Sequence, residues 1–206
     1  KSKPFVTELF NVLFAYIQQP TVEDDWATTY DDTKETDDTD FDAGTTGMDR
    51  ISQIVKGKVI QELATGATMQ HIGSQDWKHR VAALSTLTYI MEGCKKQFEA
   101  NLSTIVNTVV VPRLDDEHPM VRYYALQCIA QFCTDFAPTF QKDYAAQILP
   151  LICAKLADAT PRLVAIAAGT LNTFLDELEA DELDDDITDE EKKALVSEYQ
   201  WMEQYA

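Results

Sequence analysis

Three carboxylates and one amide recur at regular intervals along the chain, and they are the side chains best suited to bind something. Asp49, Glu92, Asp135 and Asn172 are separated by 43, 43 and 37 residues. Carboxylates accept charge-assisted hydrogen bonds from lysine and arginine, and an amide can pair with a peptide main chain. A fold that sets these side chains along one surface would bind a basic peptide. Spacing alone is equally compatible with ordinary exposed polar residues at helix ends.

The same interval appears in an internal repeat that would position these residues. The segment His118–Ala125 recurs in outline at Thr160–Ala167, 42 residues later, and Arg80 lies 42 residues before Arg122. A period of this size is typical of stacked helix pairs, in which each pair needs neighbours to bury its apolar face. The repeat therefore predicts an all-α solenoid, a right-handed superhelix of antiparallel helix pairs. Its inner helices would line a concave face and carry the four polar residues near their C-terminal ends.

Apolar periodicity divides the chain into helical units and predicts no strands. A first helix begins near Phe5 and is stopped by Pro20, and an acidic loop over 23–47 follows, closed by Gly44 and Gly47. Helix is expected to resume near Met48. The predicted units are 5–56, 58–94, 99–135 and 140–178, with a partial or atypical unit at 186–206.

Within these units, particular residues are expected to begin or end helices. Asp76 is a candidate N-cap for a helix from Trp77 to about Glu92, and Pro112 should kink or end the helix Leu102–Leu114. The following helices are expected at Pro119–Phe132, Tyr144–Leu156 and Pro161–Leu175. A capping box at Thr188 predicts a last helix, Thr188–Tyr205.

Charge and cysteine usage restrict the class of partner. The net charge of -18 argues against nucleic acid and membrane binding and favours basic partners. The acidity is local, because the tracts 23–42 and 176–191 hold 21 of the 35 acidic residues. The four cysteines lie in apolar helical patterns, which indicates buried thiols in a reducing compartment. No run is long enough to span a membrane and nothing resembles a signal peptide. Because the first residue is a lysine and the segment Phe5–Ile17 already has the pattern of a helix within an array, we interpret the chain as an internal piece of a longer array.

Catalytic and metal chemistry are not indicated. His71, His79 and His118 fall in different units without partners at metal-ligand spacing. Asp37, Asp38, Asp40 and Asp42 only loosely match a calcium loop, because the bidentate glutamate is missing. Nucleotide-binding and hydrolase motifs are also missing. We therefore expect no enzyme, no cofactor and no metal. An enzyme with metal sites in the acidic tracts is the alternative from another class.

Four motifs resemble one protein family over about residues 5–178. The segments Asp76–Leu84, Glu92–Cys94, His118–Tyr123 and Thr134–Lys142 resemble the importin β superfamily of nuclear transport receptors, of the karyopherin β3 (importin five) type. The resemblance implies HEAT repeats and an inner surface that binds basic nuclear localisation signals of cargo proteins. It also implies cargo release by the small GTPase Ran in its GTP form.

By motif, the resemblance assigns all four polar residues to the cargo site. It implies that Glu92 and Asp135 pair with a cargo lysine, that Asn172 holds the peptide main chain, and that Asp49 takes a second basic residue. Ran contacts are expected mainly in repeats outside this chain, nucleoporins are a further class of partner, and the receptor would shuttle between cytoplasm and nucleus through the nuclear pore. The alternative function is a generic HEAT-repeat scaffold subunit of a stable complex.

The acidic insertion has its own pair of interpretations. In the family an acidic insertion can touch Ran or basic cargo, which makes Trp26, Asp37, Asp38 and Asp40 candidate contacts, with Trp26 as the anchor. The alternative is a charge run that is only solvated.

Overall fold

The computed structural model describes residues 3–22, 25–28 and 39–182, and the side chains through residue 176. In these ranges the chain is helical between short turns, and no strand is present. The elements are α1 (Lys3–Ile17), α2 (Asp40–Val55), α3 (Lys58–His71), α4 (Trp77–Ile90), a 3-10 turn (Glu92–Cys94), α5 (Lys95–Glu99), α6 (Leu102–Ile105), a π turn (Val106–Val110), a second 3-10 turn (Val111–Arg113), α7 (Pro119–Asp135), α8 (Thr139–Lys155) and α9 (Pro161–Glu182).

The helices form a stack of pairs around one continuous core, as the 42-residue period predicts. α1 packs on α2, α3 on α4 and α8 on α9, while α2, α4, α7 and α9 pack on one another in chain order as the inner layer. Large side chains from every pair are fully buried, among them Phe10, Ile60, Phe98, Phe132 and Phe174. The prediction of an all-α stack of helix pairs is confirmed.

Two repeated arginines lock consecutive pairs together. Arg80 Nη2 lies 2.7 Å from Asp116 Oδ1 of the next pair, and Arg122 Nε lies 3.0 Å from Asp158 Oδ2 of the pair after. Each guanidinium also donates to main-chain oxygens of the turn before its own helix, Arg80 to Ser74 and Arg122 to Asp116. One side chain therefore caps a turn and fixes the next pair's position.

The acidic loop ends earlier than the sequence suggests. α2 begins at Asp40, because Thr39 is its N-cap and forms a capping box with Asp42. The prediction of loop to residue 47 and of helix from Met48 is wrong. Gly44 lies inside α2, where a Cβ would sit 2.8 Å from Ile17 and 2.9 Å from the Leu13 carbonyl oxygen. The glycine allows α1 and α2 to approach closely and does not close a loop.

The later helix ends also differ from expectation. α8 begins at Thr139, five residues before the predicted start, and α9 continues into the second acidic tract as far as Glu182. The segment before Pro112 leaves α-helical geometry through the π turn, as expected where proline lacks an N–H and crowds the preceding turn. The predicted helix Thr188–Tyr205 lies outside the described residues.

The cysteines are free thiols, as predicted. Cys94, Cys128 and Cys133 are buried, and Cys153 is half-buried. Burial raises the pKa of the Cys128 thiol to about 12, so it stays protonated and unreactive. Across the ranges that the structure describes, no helix combines the length and apolar character needed to cross a bilayer.

Candidate functional site

The first contact of the site is a close approach between α2 and the turn after α4. A Cβ at Gly93 would lie 2.5 Å from the main-chain carbon and oxygen of Ser52. Ser52 Oγ in turn donates to the Tyr89 carbonyl oxygen at 3.5 Å. Only glycine fits this approach, which brings Glu92 beside the inner face of α2.

A shared glutamine joins the first two predicted carboxylates. Gln53 Nε2 donates to Asp49 Oδ1 at 3.0 Å and to Glu92 Oε2 at 3.3 Å. Asp49 and Gln53 lie one helical turn apart on α2, so both face the same side. The amide spaces the two carboxylates and holds them apart without neutralising either one.

Asp135 continues the row at the end of α7 and is the most buried member. Its residue is only 9% exposed, Gln131 Nε2 donates to its Oδ1 at 3.0 Å, and its buried Oδ2 has no hydrogen-bond partner. Burial raises the pKa of Asp135 to about 6, and the negative charge of Glu92 acts in the same direction. The hydrogen bond from Gln131 and the charge of Lys95 oppose this rise in pKa.

We call Asp49, Glu92 and Asp135 the acidic ridge. In the described part of the chain, none of the ion pairs within 4.0 Å includes a ridge carboxylate. Lys95, which stands 5.9 Å over the Phe136 ring, influences Asp135 without pairing with it. The ridge therefore presents three carboxylates, one of them buried, with polar but uncharged partners.

Asn172 stands apart from this group. Thr170 of α9 lies beside Leu126 of α7, with Thr170 Oγ1 3.5 Å from the Leu126 carbonyl oxygen. From this register, Asn172 lies about 10 Å short of the level of Asp135 along the helices. Its side-chain amide donates to Asp176 Oδ2, which lies one turn closer to that level.

The positions on the helices correct one expectation. Glu92 and Asp135 lie at the ends of inner helices, as predicted, whereas Asp49 lies in the middle of α2 and Asn172 in the middle of α9. Sequence reasoning also missed three partners in the site: Gln53, Gln131 and Asp176. Each lies four residues from a predicted site residue, and this one-turn spacing is a signal that the sequence contained.

The candidate contacts of the acidic insertion have different outcomes. Trp26 packs edge-on against Tyr123 of α7, with ring centres 5.6 Å apart. Asp40 belongs to the first turn of α2, where a carboxylate suits the positive helix end. Asp37 and Asp38 lie outside the described residues. Among the residues that the structure describes, no group of three His, Cys, Asp or Glu side chains could hold a metal ion.

Sequence comparison finds relatives among nuclear transport receptors. The HEAT repeat family model matches residues 105–136. Importin subunit beta-3 of Saccharomyces cerevisiae is 28% identical over 170 residues, which cover 81% of this chain and 16% of the relative. The probable importin-5 homolog of Dictyostelium discoideum is 31% identical over 87 residues, which cover 42% of this chain and 8% of the relative. The chain thus spans a small part of the length of these relatives.

Solved structures of Kap121p have the same fold. Kap121p bound to Pho4p superimposes with a TM-score of 0.77 at 27% identity, covering 84% of this chain and 17% of that chain. Kap121p bound to RanGTP gives a TM-score of 0.77 at 27% identity, covering 86% of this chain and 18% of that chain. A Kap121p mutant with three acidic residues replaced by lysine gives 0.74 at 26% identity, covering 84% and 17%.

Proposed function

Because this chain is a HEAT-repeat segment of the importin β family, of the karyopherin β3 (importin five) type, we propose that it is the part of a nuclear import receptor that binds cargo. Its ligand is the basic nuclear localisation signal of a cargo protein, which lies along the concave face. The observation that carries the proposal is the acidic ridge, where a buried carboxylate oxygen of Asp135 has no partner.

A lysine side chain matches what the ridge lacks. Its ammonium group has three donors and one positive charge. Placed between Glu92 and Asp135, it would supply a donor to the unpartnered Oδ2 and relieve the repulsion between the two carboxylates. Asp49 would take a second basic side chain further along the ridge. Asn172 is the candidate for holding the peptide main chain, after its amide leaves Asp176.

The Kap121p structures support this assignment. Kap121p is bound to Pho4p, to the phosphatase Cdc14p and to the SUMO protease Ulp1p in separate crystals. In the charge-reversal mutant, lysine replaces an aspartate, a glutamate and an aspartate spaced 43 and 42 residues apart. Asp49, Glu92 and Asp135 have the same order of residue types at spacings of 43 and 43.

Transport by such a receptor requires a way to release cargo. Kap121p is bound to RanGTP in one crystal and to the nucleoporin Nup53p in another. We extend both partners to the receptor that this segment serves. Ran-GTP would release the cargo in the nucleus, nucleoporin contacts would permit passage, and the receptor would shuttle between cytoplasm and nucleus.

Charge reversal on the ridge tests the proposal. The double variant Glu92→Lys and Asp135→Lys should weaken binding of a lysine-rich signal peptide at least about 30-fold, because losing one desolvated charge pair at an interface costs about 2–5 kcal/mol. The matched control reverses two exposed acids away from the ridge, Glu99 and Asp143, with the same change in net charge. Peptide affinity is measured by fluorescence anisotropy at physiological ionic strength.

The control separates a site from general acidity. The proposal requires the ridge variant to lose binding while the control keeps it to within a fewfold. Equal losses in both variants would mean that the peptide responds to net charge, and unchanged affinity in the ridge variant would remove Glu92 and Asp135 from the site. Addition of Ran-GTP to the peptide complex of the wild-type receptor should release the peptide.

A further inference from the structure

A short segment between α1 and α2 contacts the fourth helix pair. The main-chain N–H of Arg162, at the start of α9, donates to the Ala27 carbonyl oxygen at 3.1 Å. The Arg162 guanidinium lies 3.5 Å from the Trp26 carbonyl oxygen, through Nη1. These hydrogen bonds join residues about 136 positions apart in sequence.

An aromatic cluster reinforces the same contact. Arg162 Cζ lies 5.1 Å from the centre of the Trp26 ring and 5.4 Å from that of Tyr123. Trp26 and Tyr123 meet edge to face, and Trp26 packs against the core with its side chain half-buried. The guanidinium therefore lies over both aromatic rings while it bonds to the main chain.

This contact joins pairs that are not neighbours along the chain, as the edge-on packing of Phe41 of α2 on Tyr124 of α7 also does. In a solenoid each repeat touches its neighbours, so curvature is controlled by many small adjustments at adjacent interfaces. The segment Asp25–Thr28 instead joins the region after α1 to the fourth pair, with two pairs in between. A link that skips neighbours restricts bending of the whole array.

The length of the connection shows which movement it restricts. Trp26 follows Ile17 by nine residues, and nine fully extended residues span at most about 30 Å. Gln18 and Gln19 take up part of this length in a turn, because their N–H groups donate to the carbonyl oxygens of Phe14 and Tyr16. The connection therefore sets an upper limit on the distance between the end of α1 and Trp26, and opening of the array beyond that limit requires the contact with Arg162 to break.

We propose that Asp25–Thr28 is an intramolecular clamp, in which Trp26, Arg162 and Tyr123 limit the opening of the concave face. The clamp belongs to the architecture of this chain and does not depend on what the ridge binds. It limits how far apart the inner helices α2 and α9 can move, and so limits the spacing of the side chains on them.

Two variants of the intact chain test two things separately. One removes the contact between Trp26 and Arg162, and the other keeps this contact but lengthens the connection that limits opening. Trp26→Ala removes the aromatic anchor. Insertion of Gly-Ser-Gly-Ser between Thr21 and Val22 keeps all anchor residues but lengthens the connection. Val22→Ala, an exposed change in the same stretch, is the control.

Opening is measured as a distance, and the contact is measured at one amide. Spin labels at the exposed positions Glu8 of α1 and Ala168 of α9 report the distance by double electron–electron resonance, with Cys153 replaced by Ser because the other three thiols are buried. Hydrogen exchange of the Arg162 amide reports its bond to Ala27, because this early N–H of α9 has no partner within its own helix.

We expect a longer mean label distance and a broader distribution in both the alanine and the insertion variant. Protection of the Arg162 amide should be lost in Trp26→Ala and kept in the insertion variant. Val22→Ala should match the wild type in both measurements. If the insertion variant retains the wild-type distance, the clamp does not limit opening and the proposal is overturned. That variant still decides the matter if Trp26→Ala does not fold.

Discussion

Replacement of Asp135 by asparagine should stabilise the chain, and more so at neutral than at acidic pH. Burial is the main cause that raises the pKa of this carboxyl to about 6, from an ordinary value of 3.8. The folded chain therefore binds a proton at Asp135 more tightly than the unfolded chain does. Stability from this proton is present at low pH and is lost as the pH rises from about 4 through about 6.

The size of the effect follows from the two pKa values. Integrated between them, the cost of the charged carboxylate in the folded chain is about 1.5 kcal/mol at pH 5 and about 3 kcal/mol at pH 7. Asparagine carries no charge at either pH, and it keeps an oxygen that can accept the hydrogen bond from Gln131. The stability difference between the variant and the wild type should therefore grow by about 1.5 kcal/mol between pH 5 and pH 7.

Urea unfolding at several pH values between 5 and 7.5 measures this difference, above the sequence pI of 4.3. Glu99→Gln is the matched control, because Glu99 is an exposed carboxylate and its replacement makes the same change in charge. A constant difference for Asp135→Asn, or one that shrinks as the pH rises, would refute the reasoning, since it would mean that burial does not destabilise the charged form of Asp135.

Two further predictions concern the contacts that position the inner helices. Asp116→Ala should lower the free energy of unfolding by about 3–5 kcal/mol in urea, because it removes the buried carboxylate partner of Arg80 and leaves only the exposed Glu117, 3.4 Å away; a loss below about 1 kcal/mol would mean that this pair does not hold the repeats together. Gly93→Ala should cost about 1–3 kcal/mol of thermal stability, because the new methyl group would press on the main chain of Ser52. Gly169→Ala is its control, since nothing lies within 4 Å of that Cβ position and alanine favours a helix interior; equal effects at the two glycines would contradict the close approach at Gly93.

The stack of helix pairs could be predicted from the sequence because the same pattern of apolar and polar residues recurs several times at an interval of about 42 residues. Arg80 and Arg122 lie at equivalent positions and make equivalent ion pairs, so the 42-residue interval is a real structural register. The start of α2 was predicted wrongly because two features of the sequence conflict there: the run of acidic residues indicates a loop, whereas the capping residues indicate a helix start. Asp40 and Asp42 were counted as part of an acidic loop, although Thr39 and Asp42 form the kind of capping box that was recognised at Thr188.

The candidate site was predicted in part, since the interval of 43 residues brings Glu92 and Asp135 to the ends of adjacent inner helices. The spacing from Asp135 to Asn172 is only 37 residues, whereas Thr170 lies beside Leu126, 44 residues before it, so Asn172 ends about 10 Å short of the level of Asp135 along the helices. The contact between Trp26 and Arg162 has no signal in the repeat at all. It joins an insertion to a helix start 136 residues away, and only the three-dimensional path of the chain brings them together.

The acids that pair with arginine and the acid on the ridge serve different purposes in this chain, and the difference supports a ligand on the ridge. Asp116 and Asp158 each face an arginine of a neighbouring pair, so their charges are matched and they contribute to the register of the stack. Asp135 is as buried as Asp116 but has a neutral glutamine on one oxygen and nothing on the other. A buried carboxylate without a cation lowers stability, and the fold could keep the hydrogen bond from Gln131 with an uncharged residue there.

A basic ligand resolves this conflict, because its ammonium group would lower the pKa of Asp135 and convert an unfavourable charge into a favourable contact. Binding should then displace a proton from Asp135 near its pKa of about 6, so affinity for a basic peptide increases with pH over the range in which the free chain loses stability.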